Sequence, residues 1–375
     1  MAYISNVRKV LALWFGIVMF SCSSLYSQDS FKEVEKYIVN QLIENKIPGI
    51  ACCVVKENRV IWSGAYGWAN IEKGIPMSID GIMNIASISK TFTATAVMQL
   101  WEKEEIKLDA DINLYLPFPV RNPHHPERPI TVSHLLTHTS SIADGDNYDA
   151  SYSDGDPLIS LADWINGYLV PGGQFYNEEQ NFSQSAPGTE YYYSNVGYGL
   201  LGYLVEQISG MSFNEYCRMH IQEPLGMEQS GWFIHEIDRA RHITPYEFKD
   251  GQNQSLELYS FPNYPDGLLR TSVRELSYFL LAIMNGGKCN QVRILEKSTL
   301  KEMLQPVVEM RDGQGLCWHQ IKFEDLWGHS GGDPGVATYM FFNPRTRTGV
   351  ITFQNNHNGD LFSVVRKLYT VADNL

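Results

Sequence analysis

The sequence predicts an α+β fold in which an antiparallel sheet, flanked by helices, is built from both ends of the chain. Near the beginning, two runs rich in β-branched and aromatic residues, 50–56 and 60–66, are separated by a short polar turn. Near the end, 337–342 and 349–354 form a second pair around a turn that contains Pro344. Strands that follow one another as hairpins pair antiparallel. We therefore expect the two hairpins to share one sheet.

Helical periodicity in the rest of the chain predicts helices on the sheet and an inserted, mainly helical lobe. Apolar residues recur every three or four positions before the first hairpin, in the long middle and after the last hairpin. One helix stops at Gly210, and another opens with a Ser-x-x-Glu capping box at 272–275. The segments predicted as helices are 31–44, 87–101, 196–209, a stretch from 272 to the glycines at 286–287, and one from about Asp360.

The domain organisation that follows is a single domain, 30–375, with two lobes. The sequence contains no internal repeat and no low-complexity linker that would separate modules. The predicted sheet lobe covers about 30–85 and 265–375, and the predicted helical lobe covers about 86–264. A cleft between two lobes is the usual place for a ligand or catalytic site.

The first 27 residues predict a signal peptide for export. Two basic residues precede an apolar run, 10–20, that is too short for a permanent membrane span. Two processing sites are open: a loose lipobox with the signal ending at 21 and Cys22 lipidated, or a cut after Ser27. We expect a protein of the bacterial periplasm, an outer-membrane lipoprotein or a secreted protein, with membrane attachment if Cys22 carries lipid. The alternative is an uncleaved anchor.

Composition and cysteine usage exclude several classes of protein. The chain has 29 basic and 42 acidic residues, a net charge of −13, with no basic run, so nucleic-acid binding is excluded. The spacings typical of metal sites are absent from the sequence, so neither a metal nor a cofactor is expected. The expected partner is a small-molecule or peptide substrate, and nothing indicates the oligomeric state. Outside the leader, five scattered cysteines are expected as buried free thiols: Cys52, Cys53, Cys217, Cys289 and Cys317.

The first motif with chemical meaning pairs Ser87 with Lys90. On a helix, residues three apart share a face, so the hydroxyl and the amine can meet. A serine becomes a useful nucleophile when a base takes its proton. A lysine can be that base if a partly dry site and a neighbouring cation lower its pKa. Alone, the pattern is equally typical of a helix cap followed by a solvated lysine.

Two further motifs follow, Tyr193-Ser194-Asn195 and His329-Ser330-Gly331, the latter extended by Gly332. A phenol beside a lysine can relay a proton to a leaving group. The Asn195 amide can hold both a substrate carbonyl and the lysine, or it can simply cap a helix that starts at the next residue. Glycines in the third motif allow a substrate backbone to approach an edge strand closely.

In order and spacing, the three motifs together resemble the serine β-lactamase and penicillin-binding-protein superfamily. More narrowly, the chain resembles the class C β-lactamase-related serine hydrolases, a group that includes DD-carboxypeptidases, esterases and D-amino-acid peptidases. The resemblance covers nearly everything after residue 30. It includes the nucleophile segment 84–94, the Leu-Leu-Thr-His-Thr-Ser stretch 135–140, Pro-Gly-Thr at 187–189 and Gly-His-Ser-Gly-Gly at 328–332.

The resemblance implies a β-lactamase/transpeptidase-like fold and a role for each motif residue. Ser87 is expected to be the acylated nucleophile of a hydrolase that cleaves an amide or ester in a D-amino-acid-containing peptide or a small ester. Lys90 and Tyr193 are expected to share general acid and base catalysis. Asn195 is expected to orient the substrate and Lys90.

The third motif is expected to bind substrate, and it departs from the β-lactamase pattern. His329, Ser330 and Gly331 are expected to line the substrate, and the backbone N–H groups of Ser87 and Gly332 to form the oxyanion hole. Typical class C β-lactamases carry Lys-Thr-Gly here, whereas His329 would be only partly charged near neutral pH. This departure favours a peptidase or esterase and leaves a class C-like β-lactamase as the alternative.

Two other functional interpretations stay open at this point. The segment 328–332 also matches Gly-x-Ser-x-Gly, the nucleophile elbow of α/β-hydrolases, which would make Ser330 the nucleophile. That elbow needs a helix directly after the serine, whereas a strand is predicted here. The other interpretation is a non-catalytic receptor that binds penicillin or peptidoglycan.

An aspartate-rich segment, 142–185, lies between the motifs. Five of its aspartates do not follow the order of a calcium-binding loop, so we expect a solvated loop: Asp144, Asp146, Asp149, Asp154 and Asp156. We also expect the loop to shape the cleft through aromatic side chains that contact substrate: Trp164, Tyr168, Phe175 or Tyr176.

Overall fold

The computed structural model describes residues 30–307, 311, 313–322 and 324–375. The predicted signal peptide, with Cys22 and the cut after Ser27, lies outside these residues and stays a prediction. Within the described ranges, no helix combines the length and the apolar character needed to cross a membrane.

The centre of the fold is a seven-stranded sheet with the strand order β4-β5-β6-β7-β1-β2-β3. Every neighbouring pair in this sheet is antiparallel. β1 pairs with β7 from Ile50 opposite Gln354 to Lys56 opposite Thr348, so both chain ends share the sheet, as predicted. The strands are β1 (Gly49–Lys56), β2 (Arg59–Asn70), β3 (Ile75–Pro76), β4 (His319–Ile321), β5 (Leu326–Asp333), β6 (Val336–Asn343) and β7 (Thr348–Gln354).

The sequence did not predict the two short edge strands β3 and β4, nor β5, which carries the third motif. Gly328, Gly331 and Gly332 give this segment a composition that is depleted in strands, so propensity hides it. Ser330 faces Tyr339 across the β5–β6 ladder. The third motif therefore lies inside a strand of the sheet and does not precede one.

Five longer helices share two buried apolar clusters with the two faces of the sheet. α1 and α5 pack with Cys52 on one face, and the other three helices pack with Cys53 on the opposite face. This alternation along β1 and the free, buried state of both thiols agree with the sequence-based expectation. The helices are α1 (30–44), α2 (Ser89–Glu102), α3 (Asn195–Ser209), α4 (Val273–Met284) and α5 (Leu361–Asp373).

The middle of the chain is less regular than a purely helical lobe. One cluster of buried apolar side chains joins it to the sheet, with Leu200 of α3 and Ile351 of β7 as members. The lobe boundaries stay a prediction. Shorter helices are Val132–Leu136, Asp146–Asp149, Leu161–Leu169, Glu178–Asn181, Phe213–Cys217, Glu223–Leu225 and Lys297–Met303, with a π-helical turn at Arg218–Gln222. Short strand pairs are Met83–Asn84 with Arg270–Thr271, Ser153–Asp154 with Tyr259–Ser260, Tyr246–Lys249 with Gln252–Ser255, and Lys288–Cys289 with Val292–Arg293. The 3₁₀ turns are Ala86–Ile88, Ile112–Leu114, Ile234–Glu236, Arg239–Arg241 and Tyr264–Asp266.

Gly199 allows α3 to approach Asn263 closely, and a side chain there is expected to destabilise the fold. A Cβ atom at this position would lie 1.8 Å from Asn263 Oδ1. Asn263 in turn accepts a hydrogen bond from Trp164 and donates one to the Asn195 carbonyl. We expect Gly199→Ala to lower the free energy of unfolding by about 1–3 kcal/mol in urea titrations, because overpacking displaces this network. The matched control is Gly197→Ala on the same helix, where the nearest atom would be 3.3 Å away; equal losses in both variants would contradict the argument.

Candidate active site

A cleft of about 270 Å³ brings the three motifs together. Ser87, Tyr193, His329, Ser330 and Gly332 all line it. The chain separates these residues widely, so the meeting is a product of the tertiary fold. The two other motif side chains, Lys90 and Asn195, contact each other behind Ser87, and Gly331 packs against the turn that carries Ser87.

Ser87 lies on a tight turn ahead of the predicted helix. A 3₁₀ turn at Ala86–Ile88 runs directly into α2, so the α-helix begins at Ser89, two residues later than predicted. Ala86 has a φ of 47°, in the left-handed region that is costly for a residue with a side chain. Its N–H is held by the Asn84 side chain at 2.8 Å. The surroundings thus fix the serine in a strained turn, a feature often found at functional sites.

Strand β5 packs closely against this turn at Gly331. A Cβ atom there would lie 2.4 Å from the Ile85 carbonyl and 3.1 Å from the Ala86 side chain. Thr338 of β6 also donates a hydrogen bond to the Ile85 carbonyl, at 2.9 Å. The glycine therefore permits the close approach of sheet and nucleophile turn.

Lys90 is fully buried, and its amine has three hydrogen-bond acceptors. Nζ donates to Ser87 Oγ at 3.1 Å, to Asn195 Oδ1 at 2.7 Å and to the Asp266 carbonyl oxygen at 2.8 Å. The Asp266 carboxylate lies 3.9 Å away. Three acceptors match the three protons of an ammonium group. The i, i+3 contact predicted between Ser87 and Lys90 is present.

The pKa of Lys90 is raised, so the lowered pKa that would make the lysine a base is not met. Burial alone lowers this pKa, but Tyr193, Asp266 and Asp144 together raise it above its usual value. The charged neighbours of the lysine include two carboxylates, which favour the ammonium. Lys90 is therefore an ammonium at neutral pH.

Tyr193 faces the cleft beside this ammonium, with 36% of its surface exposed. Lys90 Nζ lies 5.1 Å from the centre of its ring. Lys90 and the Ser87 hydroxyl lower the pKa of the phenol, and Asp266 raises it. Burial raises the pKa of Tyr193 more than Lys90 lowers it, so the resting phenol is neutral.

Asn195 is the first residue of α3, and Ser194 is its cap. The Ser194 hydroxyl accepts a hydrogen bond from Gly197 N–H at 2.9 Å, so the interpretation of Asn195 as the cap is wrong. The Asn195 side chain is not used for capping, and it accepts a hydrogen bond from Lys90 Nζ. Asp144 supports this helix start, since its carboxylate accepts hydrogen bonds from the N–H groups of Asn195 and Val196 at 2.8 and 3.0 Å.

Asp144 and Asp266 are the two site carboxylates that the sequence analysis missed. Asp144 was expected on a solvated loop, and that is wrong, because it anchors α3 beneath the cleft. Tyr148 donates a hydrogen bond of 2.6 Å to Asp266, whose other carboxylate oxygen is buried with no partner among the described residues. Burial raises the pKa of Asp266 to about 7, against the lowering effect of Lys90.

His329 is neutral across the physiological range. Burial, and then Lys90, lower its pKa to about 3, so the expectation of partial charge near neutral pH is wrong. Nδ1 donates to the Ser330 carbonyl at 2.7 Å, which leaves Nε2 as the acceptor. Because Ser330 lies within β5 and a β-turn follows, the strand–turn–helix geometry of a nucleophile elbow is absent at this serine.

The outer edge of β5 is available to a substrate beyond Gly328. Among the described residues, β4 pairs with β5 only from Leu326 to Gly328. The backbone from His329 to Asp333 therefore has no strand partner on that side. An extended peptide can add to such an edge through main-chain hydrogen bonds.

Arg311 supplies a permanent positive charge in the wall of the cleft. Its guanidinium carbon lies 4.3 Å from the centre of the Tyr191 ring. The third motif lacks the lysine of class C β-lactamases, and the cation comes from a different segment. No local pattern around Arg311 could have signalled this position.

The aromatic residues expected to contact substrate do not line the cleft. Trp164 and Tyr168 are 1% and 0% exposed and belong to the core of the middle lobe. Phe175 and Tyr176 pack against that core. The same segment contributes Tyr148, which donates a hydrogen bond to the buried carboxylate of Asp266, and Tyr152, which donates one to the half-buried Asp333.

Among the described residues, one group of three side chains could supply ligands to a metal ion. His124, Glu178 and Glu179 place their ligand atoms within 4.8 Å of one another at the surface. None of the three lines the cleft.

Comparisons with known proteins agree with this architecture. The Beta-lactamase family model matches residues 34–371. The chain is 23% identical over 352 residues to Protein flp of Staphylococcus aureus (strain N315), covering 92% of this chain and 67% of that protein. It is 27% identical to the octameric penicillin-binding protein homologue from Pyrococcus abyssi, with a TM-score of 0.72 over 91% of this chain and 76% of that one.

A D-amino acid amidase from Ochrobactrum anthropi SV3 shares the fold at 21% identity, with a TM-score of 0.72 over 93% of this chain and 99% of the amidase. The fold is thus that of β-lactamases and transpeptidases. Because the family model spans most of the chain, the protein belongs to the beta-lactamase family of serine hydrolases.

Proposed function

We propose that this protein cleaves an amide or ester through a covalent acyl-enzyme on Ser87. The observation that carries the proposal is the hydrogen bond between Ser87 Oγ and Lys90 Nζ, 3.1 Å long, at the wall of a cleft that Tyr193 also faces. A nucleophile within reach of proton-transfer groups is the arrangement that covalent catalysis requires.

The proton of Ser87 passes to the pair formed by Lys90 and Tyr193. At rest Lys90 is charged and Tyr193 is neutral, so the pair must lose one proton before it can accept another. The two groups interact strongly and share this titration, so the apparent pKa belongs to the pair. Activity therefore rises with pH on the alkaline side as the pair loses its proton.

Acylation and deacylation then use the same groups in opposite directions. Ser87 Oγ bonds to the substrate carbonyl carbon while its proton moves to the pair, and the C–N or C–O bond breaks as the pair protonates the leaving group. Water repeats the attack and releases the acid. The N–H groups of Ser87 and Gly332 are proposed to hold the oxyanion, where each donor typically contributes about 3–4 kcal/mol.

The proposed substrate is a D-amino-acid-containing peptide with a carboxylate near the scissile bond. Arg311 provides a cation that can pair with this carboxylate. The open edge of β5 can hold the extended peptide backbone beside Ser87. The amidase with the same fold acts, by its description, on D-amino acid amides. A β-lactam also presents a carboxylate, so Arg311 keeps a class C-like β-lactamase as the second candidate.

We expect Arg311→Gln to raise KM for carboxylate-ended D-peptides about 10- to 100-fold, because a charge-assisted hydrogen bond of about 1.5–3 kcal/mol is lost. KM for a neutral p-nitrophenyl ester should stay within about threefold of wild type, since no charge pairs with Arg311 there. Initial-rate kinetics on both substrates measure this. Arg128→Gln, an exposed arginine, is the matched control. Equal changes for the peptide and the ester would contradict a carboxylate-binding role.

A substrate panel tests the proposed function as a whole. The panel contains D-Ala-D-Ala peptides, D-amino-acid amides, p-nitrophenyl esters and the β-lactam nitrocefin, and mass spectrometry locates the trapped acyl group. We expect turnover of peptides or esters above nitrocefin, with the acyl group on Ser87. Fast nitrocefin hydrolysis would favour the β-lactamase, and stable acylation without turnover would favour the receptor.

A further inference from the structure

His138 lies in the 135–140 stretch, which has no part in the proposed mechanism so far. It follows the helix Val132–Leu136 and has a φ of 58°, a region in which histidine is enriched among non-glycine residues. Its side chain is buried, 2% exposed, and still reaches the wall of the cleft. Burial of a polar imidazole costs free energy unless its contacts compensate for the lost hydration, so the contacts of this ring are informative.

The ring of His138 stacks on the ring of Tyr193. The two ring centres are 4.2 Å apart, and the planes are inclined by 28°. Tyr198 packs on the same imidazole with a centre distance of 5.0 Å. The catalytic phenol therefore rests on a side chain that is itself fixed by a neighbour.

His138 also holds the backbone on both sides of Tyr193. Ser194 N–H donates to His138 Nδ1 at 3.1 Å. Tyr192 N–H donates to the His138 carbonyl at 2.8 Å. One residue thus contacts the ring of Tyr193 and bonds the N–H groups of the residues before and after it, which leaves the phenol little freedom to move.

The hydrogen bond at Nδ1 determines the tautomer of His138. Because Nδ1 accepts, the neutral ring carries its proton on Nε2, and Nε2 is buried with no hydrogen-bond partner among the described residues. Burial lowers the pKa of His138 well below its usual value, and Lys90, His329 and Arg311 lower it further. The ring therefore adds no charge beside Lys90. A residue kept for packing alone would avoid an unpartnered buried N–H.

We propose that His138 is the positioning residue for Tyr193, holding the phenol where it exchanges a proton with Ser87 and Lys90. This inference rests on the proposed function, because the position of the phenol matters only if Tyr193 takes part in catalysis. In this proposal, the Leu-Leu-Thr-His-Thr-Ser stretch supplies a positioning residue to the active site. The physical basis is that small displacements of a catalytic group cost large factors in rate.

The test compares His138→Asn with wild type on a p-nitrophenyl ester. Asparagine tolerates the left-handed φ and can still accept from Ser194 N–H, but it removes the ring on which Tyr193 rests. We expect kcat to fall about 10- to 100-fold, with KM changed less than about threefold. Thr137→Val, a buried neighbour in the same stretch, is the matched control and should retain wild-type kcat.

A double-mutant cycle with Tyr193→Phe separates positioning from a general structural effect. If His138 acts through Tyr193, His138→Asn should slow the Tyr193→Phe protein less than about twofold, because the group it positions is gone. Additive losses would overturn the proposal. A wild-type kcat in His138→Asn would overturn it as well.

Folding and nucleophile controls keep this result distinct from the fate of the proposed function. His138→Phe retains a ring and removes the acceptor, and it should show a partial loss of kcat. Absence of a cooperative thermal transition in both His138 variants would overturn positioning in favour of a structural role. If a fluorophosphonate fails to label Ser87 in wild type, the proposed function fails and the inference fails with it. If the wild-type protein is labelled normally and His138→Asn has the wild-type kcat, the positioning role of His138 is wrong and the proposed function stands.

Discussion

Ser87→Ala is expected to abolish covalent labelling by a fluorophosphonate and to lower kcat by at least about 10⁴-fold on every substrate that the wild-type protein turns over. The reason is the loss of the proposed nucleophile, the hydroxyl that accepts a hydrogen bond from Lys90 at the cleft. The carboxylates of Asp144 and Asp266, the Lys90 ammonium and the rest of the cleft remain in this variant. Substrate binding should therefore persist, and equilibrium binding of a non-hydrolysed peptide should change less than about threefold.

Ser330→Ala is the matched control for this prediction. Ser330 also lines the cleft, and it is the serine that a nucleophile elbow would use. We expect labelling of Ser330→Ala at a rate near that of wild type, with altered KM. Labelling that survives in Ser87→Ala and disappears in Ser330→Ala would move the nucleophile to β5 and overturn the mechanism. Intact-mass measurement after labelling decides between the two results.

The first motif could be predicted from sequence because its geometry is local. Residues three apart in a helical turn meet whatever the rest of the fold does, and the Ser87–Lys90 hydrogen bond is present. The hairpins at both chain ends could be predicted for the same reason, since alternation and turn residues determine them locally. That the two ends share one sheet followed from the class of fold, and the β1–β7 ladder has that register.

The electrostatics of the site could not be predicted, because they depend on residues far away in the chain. Asp266 lies 176 positions after Lys90. Together with Tyr193, which has the larger effect, it raises the pKa of the lysine, whereas a lysine base would need a lowered pKa. Asp144 is hidden among other aspartates, and only its hydrogen bonds to the start of α3 distinguish it. Strand β5 was missed because its glycines are poor strand formers. One of them, Gly331, permits the close approach of the nucleophile turn.

Asp266→Asn is expected to move the alkaline limb of the pH–activity profile to lower pH by about one to three units. In wild type, the Asp266 carboxylate lies 3.9 Å from Lys90 Nζ, with both side chains buried. A negative charge there stabilises the ammonium and so opposes the proton loss that creates the base. The neutral amide removes this charge, and the pair formed by Lys90 and Tyr193 then releases its proton at lower pH.

The pH dependence of folding stability provides a second test of the role of Asp266. The groups that face Asp266 are Lys90, Tyr148, Asp144 and Asp333, and burial leads the causes that raise its pKa to about 7. The folded protein therefore keeps a proton on Asp266 between 3.8 and about 7 that the unfolded chain has released. Wild-type stability should fall as pH rises through this window, and Asp266→Asn should lack that contribution. The two proteins should differ most above pH 8, where the wild-type carboxylate is ionised.

Profiles of kcat/KM for a neutral ester between pH 5 and 10, with urea unfolding at pH 5 and pH 8, measure both effects. Tyr148→Phe is the matched control, because it removes the 2.6 Å hydrogen bond to Asp266 and keeps the carboxylate. Its alkaline limb should move less than that of Asp266→Asn, since the charge beside Lys90 remains. If Asp266→Asn lowers the height of the profile and leaves the limb in place, the carboxylate supports the structure of the site without setting the protonation of Lys90. A shift of the limb to higher pH in Asp266→Asn would mean that the wild-type Asp266 destabilises the Lys90 ammonium. That result would contradict the proposed role of the carboxylate.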